Sequence, residues 1–244
     1  GNALEVGVVG PSGISTPLGR FLSGGELGAM FDFRDQQLNP ARDQLGLTAV
    51  GLATTFNEQH AAGLDLNGQP GGDFFNGPEP GFAAQVNNAG SSSLAVSITD
   101  VGELTGDEYT LRFDAGNWTL TNRNSSASQT GPGPFSIDGV DIAITGGAPA
   151  NGDVFLVQPT RQSAGLFSLA VSRPEDIAAA SPLRGGEELA NTGSAALGSL
   201  NADDPGTLPL VSRVTLSFNP DALGPGVPGF DVGGIAGGPL AYDP

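Results

Sequence analysis

Residues 25–63 read GELGAMFDFRDQQLNPARDQLGLTAVGLATTFNEQHAAG. The apolar positions Leu27, Phe31, Leu38, Ala41, Leu45, Ala49, Leu52 and Phe56 end in steps of four, three and four. That spacing stacks side chains on one face of an α-helix. Gly24 and Gly25 precede the run, Glu26 lies in its first turn, where a carboxylate meets the positive end of the helix dipole, and Gly63 follows as a C′ glycine. Pro40 interrupts it, because proline has no N–H to give and its ring clashes with the carbonyl of Gln36. The spacing therefore predicts a long amphipathic helix kinked or broken near Pro40, with Asn39 capping the second piece and Pro40 at its first position. The stripe keeps nearly the same phase on both sides of that break. Leu27, Phe31, Leu38, Leu45, Ala49, Leu52 and Phe56 thus form a candidate packing seam, and a helical neighbour is implied. Such a stripe suits either the core of its own domain or a coiled-coil-like seam within an assembly, and the pattern leaves both open.

Outward from the helix the chain reads as β. Residues 1–24 alternate short apolar stretches with Pro11-Ser12-Gly13 and Ser23-Gly24, which suits a hairpin. After a turn-rich passage around Phe74-Phe75, period-2 runs recur at Leu94-Val96-Ile98, Tyr109-Leu111-Phe113, Trp118-Leu120, Ile137 with Val140-Ile142-Ile144, Val154-Leu156 and Phe167-Leu169-Val171. Turn sequences such as Asp138-Gly139 and Gly146-Gly147 separate them. Strands so spaced make a small antiparallel sandwich or barrel. Pro174-Glu175-Asp176 before Ile177-Ala178-Ala179-Ala180 predicts a short capped helix, Gly185 to Pro209 a linker, and Val211 to Phe218 a return to strand alternation. The fold class is α+β and mainly β: the helix, an antiparallel β-sandwich or barrel-like domain, and the beginning of a further β unit. The expected organisation is a hairpin over 1–24, a helical segment over 25–75, an outer β domain over 76–184, and a linker with the start of another β domain over 185–244.

Composition narrows the chemistry. The 244 residues carry a formal charge of −17, with nine arginines and no lysine. Nucleic acid and anionic membranes are excluded as partners, since both need clustered cations. Without cysteine there is no thiolate nucleophile, disulfide or thiolate zinc site, and His60 is the sole imidazole. No G-x-S-x-G elbow accompanies His60, whose place near a helix end fits a packed or dipole-facing role. Residues 224–229 fit G-x-G-x-x-G, but Pro225 and Pro228 remove amides that should face phosphate. Asp65-Leu66-Asn67-Gly68 resembles the front of a calcium loop, yet Pro70 stands at the glycine position and Asn76 where the bidentate Glu belongs. A glycosidase carboxylate pair is conceivable by spacing, but Trp118 within a strand reads as core and aromatic platforms are few. No catalytic residue, cofactor or metal ligand emerges. A β-rich module binding glycan or a host protein is the alternative reading.

Gly25-Glu26-Leu27-Gly28, Phe33-Arg34-Asp35, Pro40-Ala41-Arg42, Phe56-Asn57, His60, Asp65, Asn67-Gly68 and Gly72-Asp73-Phe74-Phe75 resemble the FlgK family of flagellar hook-associated proteins. The order continues through Tyr109-Thr110-Leu111, Trp118, Asp138-Gly139, Gly152-Asp153, Pro159-Thr160 and Ile177-Ala178-Ala179-Ala180. The resemblance covers roughly residues 20 to 200, as the central part of such a protein. It implies a structural component of the bacterial flagellum at the hook–filament junction, not an enzyme. It further implies type III export to an extracellular location and a role in motility. The implied partners are other copies of itself in a ring, the hook protein and a second junction protein. The family's terminal coiled-coil segments and the returning helices that would pair with Leu27 to Phe56 do not appear before Pro244.

Overall fold

The computed structural model describes residues 24–197, 200, 210 and 212–242, together with the backbone of 7–9 and 15–17. Strands β1 (Gly7–Val9) and β2 (Ser15–Pro17) pair antiparallel, with Val8 opposite Thr16. The helix then runs as α1 (Gly25–Phe33), a π-helical turn at Arg34–Leu38, and α2 (Asn39–Ala61). The interruption that Pro40 demands is this π turn. The N–H of Asn39 reaches back five residues to the carbonyl of Arg34, so the donor lost at Pro40 follows a stretch where the ladder has already widened. Asn39 has helical φ and ψ of −64° and −51° and is not a cap; its side-chain amide donates to Asp35 Oδ1 at 3.2 Å. One extra residue in the wide turn shifts the phase of α1 by roughly a quarter turn against α2, so the stripe is not continuous in azimuth as the spacing suggested.

Two antiparallel sheets form the body beside the helix. One has five strands, in the order β3 (Gly81–Ala84), β10 (Val154–Gln158), β5 (Tyr109–Asp114), β6 (Asn117–Asn122), β7 (Ser128–Gly131). The other has three, in the order β4 (Ser93–Ile98), β9 (Val140–Gly146), β8 (Phe135–Ile137). Alternate residues of each strand turn inward, so Leu111, Trp118, Leu120, Val140, Ile142, Phe155 and Val157 bury one shared core, which Val50 enters from α2. Trp118 is part of that core, tilted against Phe113 and Phe155. Buried Asp153 closes one end of the body: Oδ1 accepts the N–H groups of Ala89 and Gly90, and Oδ2 that of Ala150. Burial pushes this carboxyl up, but the three N–H donors outweigh it and hold it below the usual range.

Two expected elements differ. Residues 167–171 are not a strand: a short helix α3 (Ser163–Leu166) precedes them, and they make one bridge, Leu169 opposite Phe75. After a 3₁₀ turn at Pro174–Asp176, residues 177–180 are not helical, because their backbone groups are spent on the far end of α2, as the next section describes. Gly63 has no left-handed φ; its need for glycine is closeness, since a Cβ there would lie 2.2 Å from the carbonyl oxygen of Ala178. Beyond the body, β11 (Thr215–Asn219), β12 (Gly229–Gly233) and β13 (Leu240–Ala241) form a three-stranded sheet, with Phe218, Phe230 and Tyr242 meeting edge to face. The strand start expected at Val211 lies outside the described residues. The G-x-G-x-x-G string falls in the connection from β11 to β12, where Asp221 Oδ1 accepts the N–H of Gly226 at 2.6 Å. No helix among the described residues is long and apolar enough to cross a membrane.

Candidate assembly face of the helix

α2 has two faces with opposite fates. Asp43, Gly46, Val50, Ala53 and His60 are buried, at spacings that place them along one side of the helix. Leu38, Leu45 and Leu52, seven residues apart, and Phe56 lie on a second side and are 44–61% exposed. At 3.6 residues per turn the two faces stand roughly a quarter to a third of a turn apart. Of the remaining expected seam residues, Leu27 is exposed while Phe31 and Ala49 are half-buried. Met30 and Phe33, which the spacing did not single out, are 57% and 63% exposed.

The buried face is fastened to the β body by ions. Arg161 Nε and Nη2 donate to the two carboxylate oxygens of Asp43 at 2.9 and 2.6 Å, a bidentate fork. Arg161 Nη1 lies 2.8 Å from Glu108 Oε1, whose other oxygen pairs with Arg123 at 2.6 Å. Gln158 also donates to Glu108. The side chains of Asp43 and Arg161 are only 8% and 11% exposed. Burial pushes the Asp43 carboxyl up, against the pull of Arg161. Thr160 Oγ1 donates to the carbonyl of Asp43 at 3.1 Å. Its own carbonyl oxygen sits where a Cβ on Gly46 would be, 1.8 Å away, so glycine is what lets sheet end and helix touch.

A second fastening holds the far end. Asn57 Oδ1 accepts the N–H groups of Phe74 and Phe75, and its Nδ2 donates to the carbonyl of Phe75, all at 2.9 Å. The N–H of Ala178 donates to His60 Nε2 at 2.8 Å, which places the ring proton on Nδ1, donating to the carbonyl of Gly72 at 2.7 Å. His60 is therefore a clamp between two backbone segments. Leu64 and Ala180 exchange a pair of backbone bonds beside it. Phe56, Phe74, Phe75 and Phe167 stack in a chain of rings with centroids 4.5–5.8 Å apart. Asp65, read for a calcium loop, instead accepts the N–H groups of Asn67 and Gln69 at 2.7 and 2.8 Å and shapes a turn.

The clamp residues Asp43, Glu108, Thr160 and Arg161 were not foreseen. Their signal was faint: an aspartate at the spacing of Gly46, Val50 and Ala53 puts a charge on the side of α2 formed by small and aliphatic residues. What the arrangement can do follows from its parts. The helix is held firmly on one side, bare and apolar on another, and the hydrogen-bonded polar groups are consumed in holding it.

Two family models match the chain: the flagellar hook-associated protein FlgK helical domain over residues 1–75 and the flagellar hook-associated protein 1 D2-like domain over residues 83–159. Flagellar hook-associated protein 1 of Escherichia coli K12 is 31% identical over 182 residues, covering 73% of this chain and 33% of the relative. That of Salmonella typhimurium LT2 is 32% identical over 167 residues, covering 66% and 30%. The chain thus spans about a third of the length of these curated relatives. The solved structure of the flagellar hook junction protein FlgK from Burkholderia pseudomallei superposes with a TM-score of 0.72 at 32% identity, covering 91% of this chain and 43% of that one. With an exposed apolar helix, the sheets behind it and FlgK models matching over both parts, the chain belongs to the FlgK family of flagellar hook-associated proteins.

Proposed function

We propose that the chain is a structural part of the bacterial flagellum that works by packing rather than catalysis, at the junction between hook and filament. The observation that carries this is the bare face of a helix otherwise bolted to its own β body: Leu38, Leu45, Leu52 and Phe56 are 44–61% exposed while Asp43, Gly46, Val50 and Ala53 on the neighbouring face are sealed. Monomers rarely leave a long apolar strip uncovered, and such strips mark contact sites. The names of its relatives favour the same reading. Other copies of the protein, the hook protein and a second junction protein are the partners this role entails, at an extracellular site reached by the flagellar export route. The β body and the sheet over 215–241 face away from the packed wall in this reading, and the divisions 1–24, 25–75, 76–184 and 185–244 are its working parts.

The test is to replace Leu45→Asp together with Leu52→Asp in the protein as cells make it. Both positions are exposed, so folding stability should change by no more than about 0.5 kcal/mol, measured by urea unfolding. Filaments should detach and swimming should be lost. Normal swimming with intact hook-borne filaments would overturn the proposal.

A further inference from the structure

Three asparagines in the chain are followed by glycine: Asn67-Gly68, Asn76-Gly77 and Asn151-Gly152. Such pairs are labile in water, because a glycine nitrogen, with no Cβ beside it, can attack the side-chain carbonyl of the asparagine. The attack needs that N–H unspent and the backbone around it able to turn. Two of the three pairs fail on both counts. The N–H of Gly68 donates to the carbonyl of Asp65 at 3.1 Å, and that of Gly152 to the carbonyl of Phe113 at 2.9 Å. Both glycines are held in turns at left-handed φ, +73° and +92°.

Asn76-Gly77 differs. Both residues are exposed, and the N–H of Gly77 meets no acceptor among the described residues. Chain neighbours aside, no atom lies within 4 Å of where a Cβ on Gly77 would stand, so nothing blocks the rotation that brings its nitrogen onto the side chain. The side chain of Asn76 is anchored through Nδ2, which donates to Ser168 Oγ at 2.6 Å. A hydroxyl can return a proton to that nitrogen as it departs, whereas Asn67 Nδ2 faces the Asp65 carboxylate at 3.3 Å, which only accepts. We propose that Asn76 is a site of spontaneous deamidation, where the Gly77 nitrogen closes a succinimide ring while Asn67 and Asn151 keep their amides. The bond from Gly77 N to Asn76 Cγ forms and the Cγ–Nδ2 bond breaks. The proton of the Gly77 N–H is carried off in the balance as ammonia leaves. Water then opens the ring at either carbonyl, giving aspartate or isoaspartate. Both products add a negative charge, and isoaspartate also inserts a methylene into the main chain between Phe75, which Asn57 holds, and β3.

The purified chain is incubated at mildly alkaline pH, folded and in urea, and amide loss at each asparagine is followed by peptide mapping and tandem mass spectrometry. A protease that cuts before aspartate but not isoaspartate separates the two products. Having to break one hydrogen bond before attack slows the reaction on the order of two- to tenfold. In the folded protein Asn76 is therefore expected to react faster than Asn67 and Asn151 by at least that factor, and in urea the three rates should converge. Equal or faster loss at folded Asn67 or Asn151 would overturn the proposal. So would an intact Asn76 in folded protein whose unfolded chain reacts at all three pairs. Asn76→Gln, which must close a larger and slower ring, should abolish the change in its peptide, and persistence of the mass shift there would place the reaction on another residue and refute the assignment.

Discussion

Replacing Arg161→Leu tests whether the ion clamp fixes the helix to the β body. In the wild-type protein Arg161 gives Asp43 both of its strong bonds, at 2.9 and 2.6 Å, and Glu108 a third at 2.8 Å. Its removal does not strand the two acids equally. Glu108 keeps Arg123 and Gln158, whereas the side chain of Asp43, 8% exposed, loses its only cationic partner of the clamp. Removing one member of a buried pair costs about 3–5 kcal/mol, and with one orphan rather than two the lower end, about 3 kcal/mol, is expected. Urea unfolding followed through Trp118, which lies in the shared core, gives the change in midpoint. Adding Asp43→Asn removes the orphaned charge, so the double variant should recover about 1 kcal/mol or more of the loss. Arg161→Lys keeps the charge without the fork and should fall between. A single variant within about 0.5 kcal/mol of wild type, or a double variant with strictly additive losses, would refute a coupled clamp.

Three further expectations follow from the same contacts. His60→Ala leaves the N–H of Ala178 and the carbonyl of Gly72 without their partners, costing about 2–4 kcal/mol, and hydrogen exchange should show the Ala178 amide losing protection first; unchanged exchange there would count against the clamp. Asp153 has its folded pKa lowered, so its contribution is whole above the unfolded value of about 3.9 and fades as pH falls through the folded value. Asp153→Asn turns an amide against the N–H of Ala150, so it should lower the midpoint at pH 7 and flatten the acid limb of a stability-versus-pH curve, and an unaltered limb would refute the assignment. In Gly46→Ala the new methyl meets the carbonyl oxygen of Thr160; helix and body must separate, and the Asp43–Arg161 coupling measured by double variants should fall towards zero.

The helix and most strands were legible because their periods are local. Steps of three and four between Leu45 and Phe56, and of two within Tyr109–Phe113, record which face each residue shows to a surface. What escaped was set by distant partners. Residues 177–180 carry a helix-like alanine run, but the N–H of Ala178 and both backbone groups of Ala180 go to His60 and Leu64, more than a hundred residues away in sequence. β7, reading Ser-Gln-Thr-Gly, is an edge strand with no apolar rhythm to betray it. Phe167 to Val171 alternates as a strand should, yet its pairing stops at one bridge, Leu169 opposite Phe75, with flanking bonds to Phe74 and Asn76. In the candidate face, Leu38, Leu45, Leu52 and Phe56 were readable from spacing. The exposure of Met30 and Phe33 was not, because Pro40 marks where the helix is interrupted but not that the interruption is a π turn, which shifts the phase of α1 against α2.

Besides the packing of Val50 into the core, polar fastenings hold the helix at two places, near Asp43 to the β body and near His60 to the segments around Gly72 and Ala178. Seventeen residues of α-helix separate them, about 25 Å of axis. A part pinned at one point can swivel, whereas a part pinned at two cannot tip without tearing one pin loose. Tilting the helix out of its seat would therefore have to break the Asp43 fork or the His60 bonds, and either break alone leaves the other as a hinge.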